Sequence, residues 1–312
     1  MTQEEFQNEF SRLLKGETNK DVNDLINIYL GYLFKTIQAQ AGTPSATKAL
    51  NDSKIINQMV FTKLAHLQQL MNGIEFVAPD GSRLNNIIDP TVVAAAARTI
   101  YETVGMFSLI NVGKSDDERL ILNNLWSIAG LKFRQRFAKP NSSAETLGKI
   151  ADEKAHIHTL TSEIENTALY ISLAQADKDR IQGKICSKEY NIRFEAGEVK
   201  QVDGFQAMVD NTGTKPIILP DMYTFYSLNS HPSFVAVFQF ADMFRANSPD
   251  FFELAAINIR SVFFLISIFI ADYISVFPDL KHVFYSLEGI DQAMIDRLNV
   301  MARSEAHSIN NI

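Results

Sequence analysis

The chain has 312 residues, of which 46% are hydrophobic and 21% charged, a balance that suits a folded globular protein and excludes a disordered one. Its formal charge of −7, from 29 basic and 36 acidic side chains, argues against an extensive surface for nucleic acid or anionic lipid. The single cysteine, Cys186, cannot close an intrachain disulfide, which fits a reducing compartment and a cytoplasmic protein.

Helical signals start at once. Thr2 and Glu5 have capping-box spacing and open a helix over about 3–15, with Glu4, Glu5 and Glu9 where a signal peptide would need basic and then apolar residues. Leu25, Ile28, Tyr29, Tyr32, Leu33 and Ile37 form one stripe of a second helix over about 21–40. A third covers about 45–71, and Pro79-Asp80-Gly81 marks a turn. Asp89-Pro90 starts a fourth helix that runs to about 111. Asp116, Asp117 and Glu118 suit the first turn of a fifth, which ends near Lys139-Pro140. Ser142 or Ser143 opens a long sixth helix to about 181. The periodicity then fails over 183–218, which holds the only strand material expected, around Tyr190 to Phe194, with room for a small hairpin. Helical segments return over about 221–230, 232–244, 250–277 and 289–308.

The most apolar stretch, Ser261 to Ala271, lies between Arg260 and Asp272. Eleven residues are too few for a bilayer core, which takes roughly 20, so a buried central helix is expected rather than a membrane span. Arg260 and Asp272 lie about 18 Å apart along such a helix and must find separate partners or water. No repeat and no interdomain linker stands out. The expectation is an all-α multi-helix bundle in one domain, with the helices of 1–85 packed on a core formed by 88–182 and 220–308.

Two segments carry candidate chemistry. Between Pro90 and Ile110 the only charged residues are Arg98 and Glu102, one turn apart on a helix otherwise small or apolar on every side. Such a pair is expected to be at least partly buried, either as an internal ion pair or as part of a site. The second segment is the run from Tyr223 to Ser233, in which Tyr226, Ser227, Asn229, Ser230 and His231 gather polar groups at a helix break made by Pro232. With Pro232 in the first turn of the next helix, His231 and Ser230 either cap that helix or offer donors to an anion at its N-terminus. A histidine there can also serve as acid or base. A buried Arg and Glu need more hydrogen-bond partners than each other supplies, so Arg98, Glu102 and His231 are expected to converge.

Arg98-Thr-Ile-Tyr-Glu102 and Tyr226-Ser-Leu-Asn-Ser-His231-Pro-Ser233 together resemble a group of bacterial helical proteins of unknown function, some members of which are akin to the HEPN helical domains. Those proteins carry Arg-x-x-x-Glu on a central helix and a Ser-x-x-x-His-Pro-Ser-like stretch later, and Trp126, Gly130 and Arg134 match the helix between. The resemblance spans about 88–240 and implies an all-helical fold. Many HEPN domains are ribonucleases of defence systems, with four to six residues between an Arg and a His. Here the nearest spacing is Arg303-Ser-Glu-Ala-His307, with three, which departs from that pattern.

Other constellations lack their partners. Glu153-Lys-Ala-His156 has one Glu-x-x-His spacing but no second copy, and His156 and His158 point about 200° apart, so no metal is expected. Neither a phosphate-binding glycine loop nor a Gly-x-Ser-x-Gly elbow occurs, and no cofactor is expected. Lys132, Arg134, Arg136 and Lys139 cluster with Phe133 and Phe137, either as a solvated helix end or as a contact for phosphate. Three functional classes follow. One is a binding or regulatory protein whose polar pocket at Arg98, Glu102 and His231 takes a small anion, a nucleotide or a partner segment. Another is a nuclease or phosphodiesterase using the same residues, and the last is a scaffold in which they are core polar groups. Oligomeric state is open.

Overall fold

The computed structural model describes residues 2–139, 141–246 and 250–312, with the side chains at 85, 244–246 and 250 excepted; Pro140, at the expected end of the fifth helix, lies outside them. Among the described residues the fold is all-α with two small hairpins. The chain divides into two compact units, one of 1–108 and 209–312, the other of 109–208. Both divisions fall inside helices, so no linker composition marks them.

The first unit holds α1 (Gln3–Lys15), α2 (Asn19–Gln40), α3 (Lys48–Met71), the hairpin β1 (Ile74–Val77) and β2 (Arg83–Ile87), and most of α4 (Pro90–Asn111). The second unit takes the end of α4, then α5 (Asp116–Gln135), α6 (Ala144–Glu165), α7 (Ala168–Ser172), α8 (Gln175–Ser187), the hairpin β3 (Ile192–Glu195) and β4 (Glu198–Gln201), and most of α9 (Gly204–Asp210). The chain returns to the first unit with α10 (Met222–Ser230), α11 (Phe234–Ala246), α12 (Asp250–Val276), α13 (Lys281–Tyr285) and α14 (Gly289–Ala302).

Local chemistry sets the helix starts. Reciprocal capping boxes close the N-termini of α1 (Thr2 with Glu5), α2 (Thr18 with Asp21) and α5 (Ser115 with Glu118). Asp89 accepts from the Thr91 amide at 2.8 Å and so caps α4.

In the first unit α12 is central, and from Ala255 to Ile274 most of its side chains are buried. Tyr29 of α2 meets Ser267 at 2.8 Å, Phe107 of α4 meets Phe269 edge-on at 4.9 Å between ring centres, and Tyr273 donates to Gln40 at 2.5 Å. Arg260 stays exposed and donates to the Gly16 carbonyl at 3.3 Å, while Asp272 pairs with Arg303 beyond the end of α14. Phe251–Val276 is the one helix among the described residues long and apolar enough to cross a membrane, and 78% of its apolar window is buried inside the protein.

In the second unit α5 and α6 pack through Ile121, Leu125, Ile128, Leu160 and Ile164, and Leu109, Val202 and Met208 form a small cluster beside Tyr190 and Phe205. Asp177 of α8 accepts from the Val199 amide at 3.1 Å and fastens the β3–β4 hairpin. That hairpin turns through Ala196 (φ +51°) and Gly197 (φ +81°), the pair of left-handed residues a two-residue turn of this hand requires.

Several boundaries differ from expectation. Strand is not confined to 183–218, because β1 and β2 pair across the Pro79-Asp80-Gly81 turn. All four β1 residues are exposed, so no core face imposed the alternation by which a strand is read. The sixth helix is three: Asn166 ends α6, Thr167 caps α7 by accepting from the Tyr170 amide, and Leu173 separates α7 from α8. Helix α5 stops at Gln135, and α14 stops at Ala302 before a short 3-10 turn over Glu305–His307.

Candidate functional site

Helix α4 presses Val93, Ala97, Ile100, Val104 and Phe107 into the core of the first unit and carries Arg98 and Glu102 at its edge. Arg98 Nε donates to Glu102 Oε1 at 3.0 Å. Their side chains keep 25% and 29% exposure, so the pair is partly buried, as expected, and not sealed in the core. The small residues beside them explain this. Ala95 and Ala96 are only partly covered and Thr99 is exposed, so nothing bulky closes that edge.

Helix α10 supplies the remaining partners from its two ends. Tyr223 in its first turn accepts from Arg98 Nη2 at 2.7 Å, donates to Glu102 Oε1 at 3.3 Å, and lies with its ring centre 4.8 Å from the guanidinium carbon. His231, the C-cap residue, places Nε2 3.2 Å from Arg98 Nη1. A guanidinium has no acceptor, so this contact needs a lone pair on Nε2 and, in the neutral ring, the proton on Nδ1. Arg98 thus reaches three different side chains through its three nitrogens, which fixes the plane of the fork at a surface His231 shares with solvent.

Lys63 of α3 completes the edge. Its ammonium donates to the Thr99 carbonyl at 2.9 Å and to Thr103 Oγ1 at 2.6 Å. Burial presses the Lys63 pKa down, and the charge of Glu102 acts in the opposite sense. The cluster therefore sets the Arg98 guanidinium and the Lys63 amine against one carboxylate, with an imidazole beside them. It is biased toward a further negative group.

Arg98, Glu102 and His231 converge as anticipated, whereas Tyr226, Ser227, Asn229 and Ser230 do not join them. Tyr226 is buried and its hydroxyl meets that of Ser261. Ser227 donates to the Tyr223 carbonyl at 2.8 Å, Asn229 to the Phe225 carbonyl at 2.8 Å, and Ser230 to the Ser227 carbonyl at 3.4 Å. Short polar side chains on a helix satisfy themselves on the preceding turn. Neither Ser230 nor His231 caps α11. Ser233 does, accepting from the Ala236 amide at 3.1 Å, and Pro232 precedes the cap instead of opening the helix. Sequence reasoning missed Tyr223 and Lys63. Tyr223 shares a face with Ser227 one turn on and heads the same polar run, which was its one available signal.

A second polar cluster is sealed. Arg303 and Asp272, exposed by 3% and 4% at their side chains, are joined at 2.5 Å. Arg303 also donates twice to Asn299 Oδ1, at 2.9 and 2.6 Å, and to the Thr212 carbonyl at 3.4 Å. His307 lies against Ser304, 2.9 Å away, and against Gly213. The Arg303–His307 spacing therefore builds an internal clasp, with its guanidinium turned away from solvent.

In the second unit, Glu153 pairs with Arg134, and Lys132 donates to the Ile185 carbonyl at 2.5 Å. Arg136 stacks 4.6 Å over Phe133, and Phe137 stays 72% exposed. His156 and His158 are both exposed on α6. Comparison with protein-family models, with curated proteins and with solved structures found no match to this chain.

Proposed function

We propose that this is a binding protein that takes an anionic group, phosphate or carboxylate, at the Arg98–Tyr223–His231 edge, within a reducing compartment. The observation that carries it is the fixed fork of Arg98, held through three nitrogens by three partners yet a quarter exposed. A residue serving only the core would be sealed, as Arg303 is. The Lys63 amine, held on Thr99 and Thr103 of the Arg98 helix, adds donor character that supports a negative ligand, and the open side of His231 supplies a movable donor or acceptor.

Isothermal titration with inorganic phosphate and with adenosine monophosphate tests this. Arg98→Ala should abolish binding while circular dichroism stays unchanged, and Arg98→Lys should weaken it because an ammonium cannot reproduce the fork. Equal affinity for the wild type and Arg98→Ala would remove the site from consideration. One observation favours a second reading, a phosphodiesterase: His231 is exposed and beside an arginine, as an acid or base facing a phosphate would be. Turnover of single-stranded RNA that is lost in His231→Ala would move the assignment there.

A further inference from the structure

Helix α11 is apolar almost throughout, from Phe234-Val-Ala-Val-Phe to Met243. A helix without a polar face is normally covered on all sides. This one is covered on one. Ala236 and Met243 are buried, whereas Phe234 is 83% exposed, Val237 58%, Phe238 55% and Val235 42%. At about 100° per residue, the four exposed side chains span an arc of about 160° opposite the buried pair. Leu228, 42% exposed, extends the patch beside the start of α11, since its carbonyl accepts from Ser233 at 3.0 Å.

We infer that this face of α11 is the contact between two copies of the chain, packed helix against helix about a two-fold axis. Area is the first argument. The five side chains present roughly 500 Å² of apolar surface, at the upper end of what a typical monomer leaves in one patch. Two copies together would bury about 1,000 Å² of it, and the exposed rim at His231, Pro232 and Gln239 would add to that, which meets the size of a specific interface.

Charge is the second argument, and it sets the direction. Asp242 is exposed toward the C-terminal part of α11, eight residues or about 12 Å along the helix beyond Phe234. An antiparallel pair centred near Val237 brings Asp242 of one copy toward the Arg98–His231 edge of the other. A parallel pair would set like ends together. A membrane is the poorer occupant, because interfacial helices keep charge off their apolar face, whereas this arc carries the exposed Asp242 within it and Gln239 at its border.

Sedimentation velocity of the full chain, from low micromolar to near-millimolar concentration, tests the inference. The expected species is twice the 35.1 kDa chain mass, and Phe234→Asp with Phe238→Asp should sediment as a monomer with unchanged circular dichroism. Both residues are exposed, so the substitutions spare the core. Asp242→Lys should weaken the dimer, and His231→Asp in the same chain should restore part of it. A wild type that is monomeric throughout would overturn the interface, whether or not it adsorbs to vesicles containing phosphatidylserine. A folded double variant that stays dimeric would also overturn it, by placing the contact elsewhere.

Discussion

Asp272 of α12 and Arg303 beyond α14 form an ion pair with neither side chain more than 4% exposed, and it joins the most buried helix to the end of the chain. Burial drives the Asp272 pKa upward, and the nearby Arg303 guanidinium opposes that rise. Breaking such a pair from one side leaves the other charge unmet in the interior. Asp272→Leu and Arg303→Met should each destabilise the fold by about 3–5 kcal/mol, and the double variant by much less than their sum. Urea denaturation of the three variants checks this, and additive losses would mean that the pair is not coupled.

Arg12 of α1 gathers Glu9 at 2.6 Å, Asp24 at 2.7 Å and Asp21 around one guanidinium. Its hydrogen bond holds Glu9 below the usual carboxylate range. Burial alone would raise Asp21 and Asp24, but hydrogen bonds from Thr18 and Lys20 respectively, together with Arg12, bring both below that range. Groups with depressed folded pKa values contribute stability above about pH 4, and it is lost as pH falls through the folded values. Arg12→Ala should cost about 1 kcal/mol at pH 7, a modest figure because a third of Arg12 remains in water, and close to nothing near pH 2. Melting temperatures across that range would show the two proteins converging in acid.

His307 behaves differently. Its burial, and next the nearby Arg303, push its pKa below the ordinary 6.5, with Asp272 acting the other way. Stability from the neutral ring is therefore complete above pH 6.5 and declines as pH falls through the lowered value. His307→Gln should flatten the stability profile between pH 7 and 5 without changing the Asp272–Arg303 coupling. An unaltered slope would show that another group titrates there.

Tyr223→Phe removes the hydroxyl between Arg98 and Glu102 and keeps the ring against the guanidinium. One net hydrogen bond of about 1 kcal/mol corresponds to roughly fivefold weaker phosphate binding, with little change in melting temperature. Full affinity in this variant would leave Arg98 oriented by Glu102 and His231 alone.

Helix starts were legible because capping is local: Thr2 with Glu5, and Asp89 before Pro90, announce themselves within four residues. The central place of α12 was legible from its uninterrupted apolar run, as was the need of Arg260 and Asp272 for separate partners. The β1–β2 ribbon was not, because a strand exposed on both faces has no pattern to read. Arg98 and Glu102 stood out as the only charges on their helix. Tyr223 meets them across 125 residues, with only its place at the head of the polar run as a sign, and Lys63 reaches the neighbouring Thr103 across 40 with nothing local to announce it. The polar run 226–230 misled for a physical reason: Ser227, Asn229 and Ser230 had carbonyls of their own helix within reach, and the Tyr226 hydroxyl found Ser261 in the core.

The turn at Ala196 sets an order of events in folding. A residue with a Cβ resists the left-handed conformation by about 1 kcal/mol or more, so the β3–β4 ribbon gains little by closing alone. What secures it is the Asp177 carboxylate on the Val199 amide, and Asp177 is in place only once the first turn of α8 has formed. The helix should therefore come first and the ribbon settle onto it late. Ala196→Gly, which relieves the turn, should slow unfolding while leaving the refolding rate nearly unchanged.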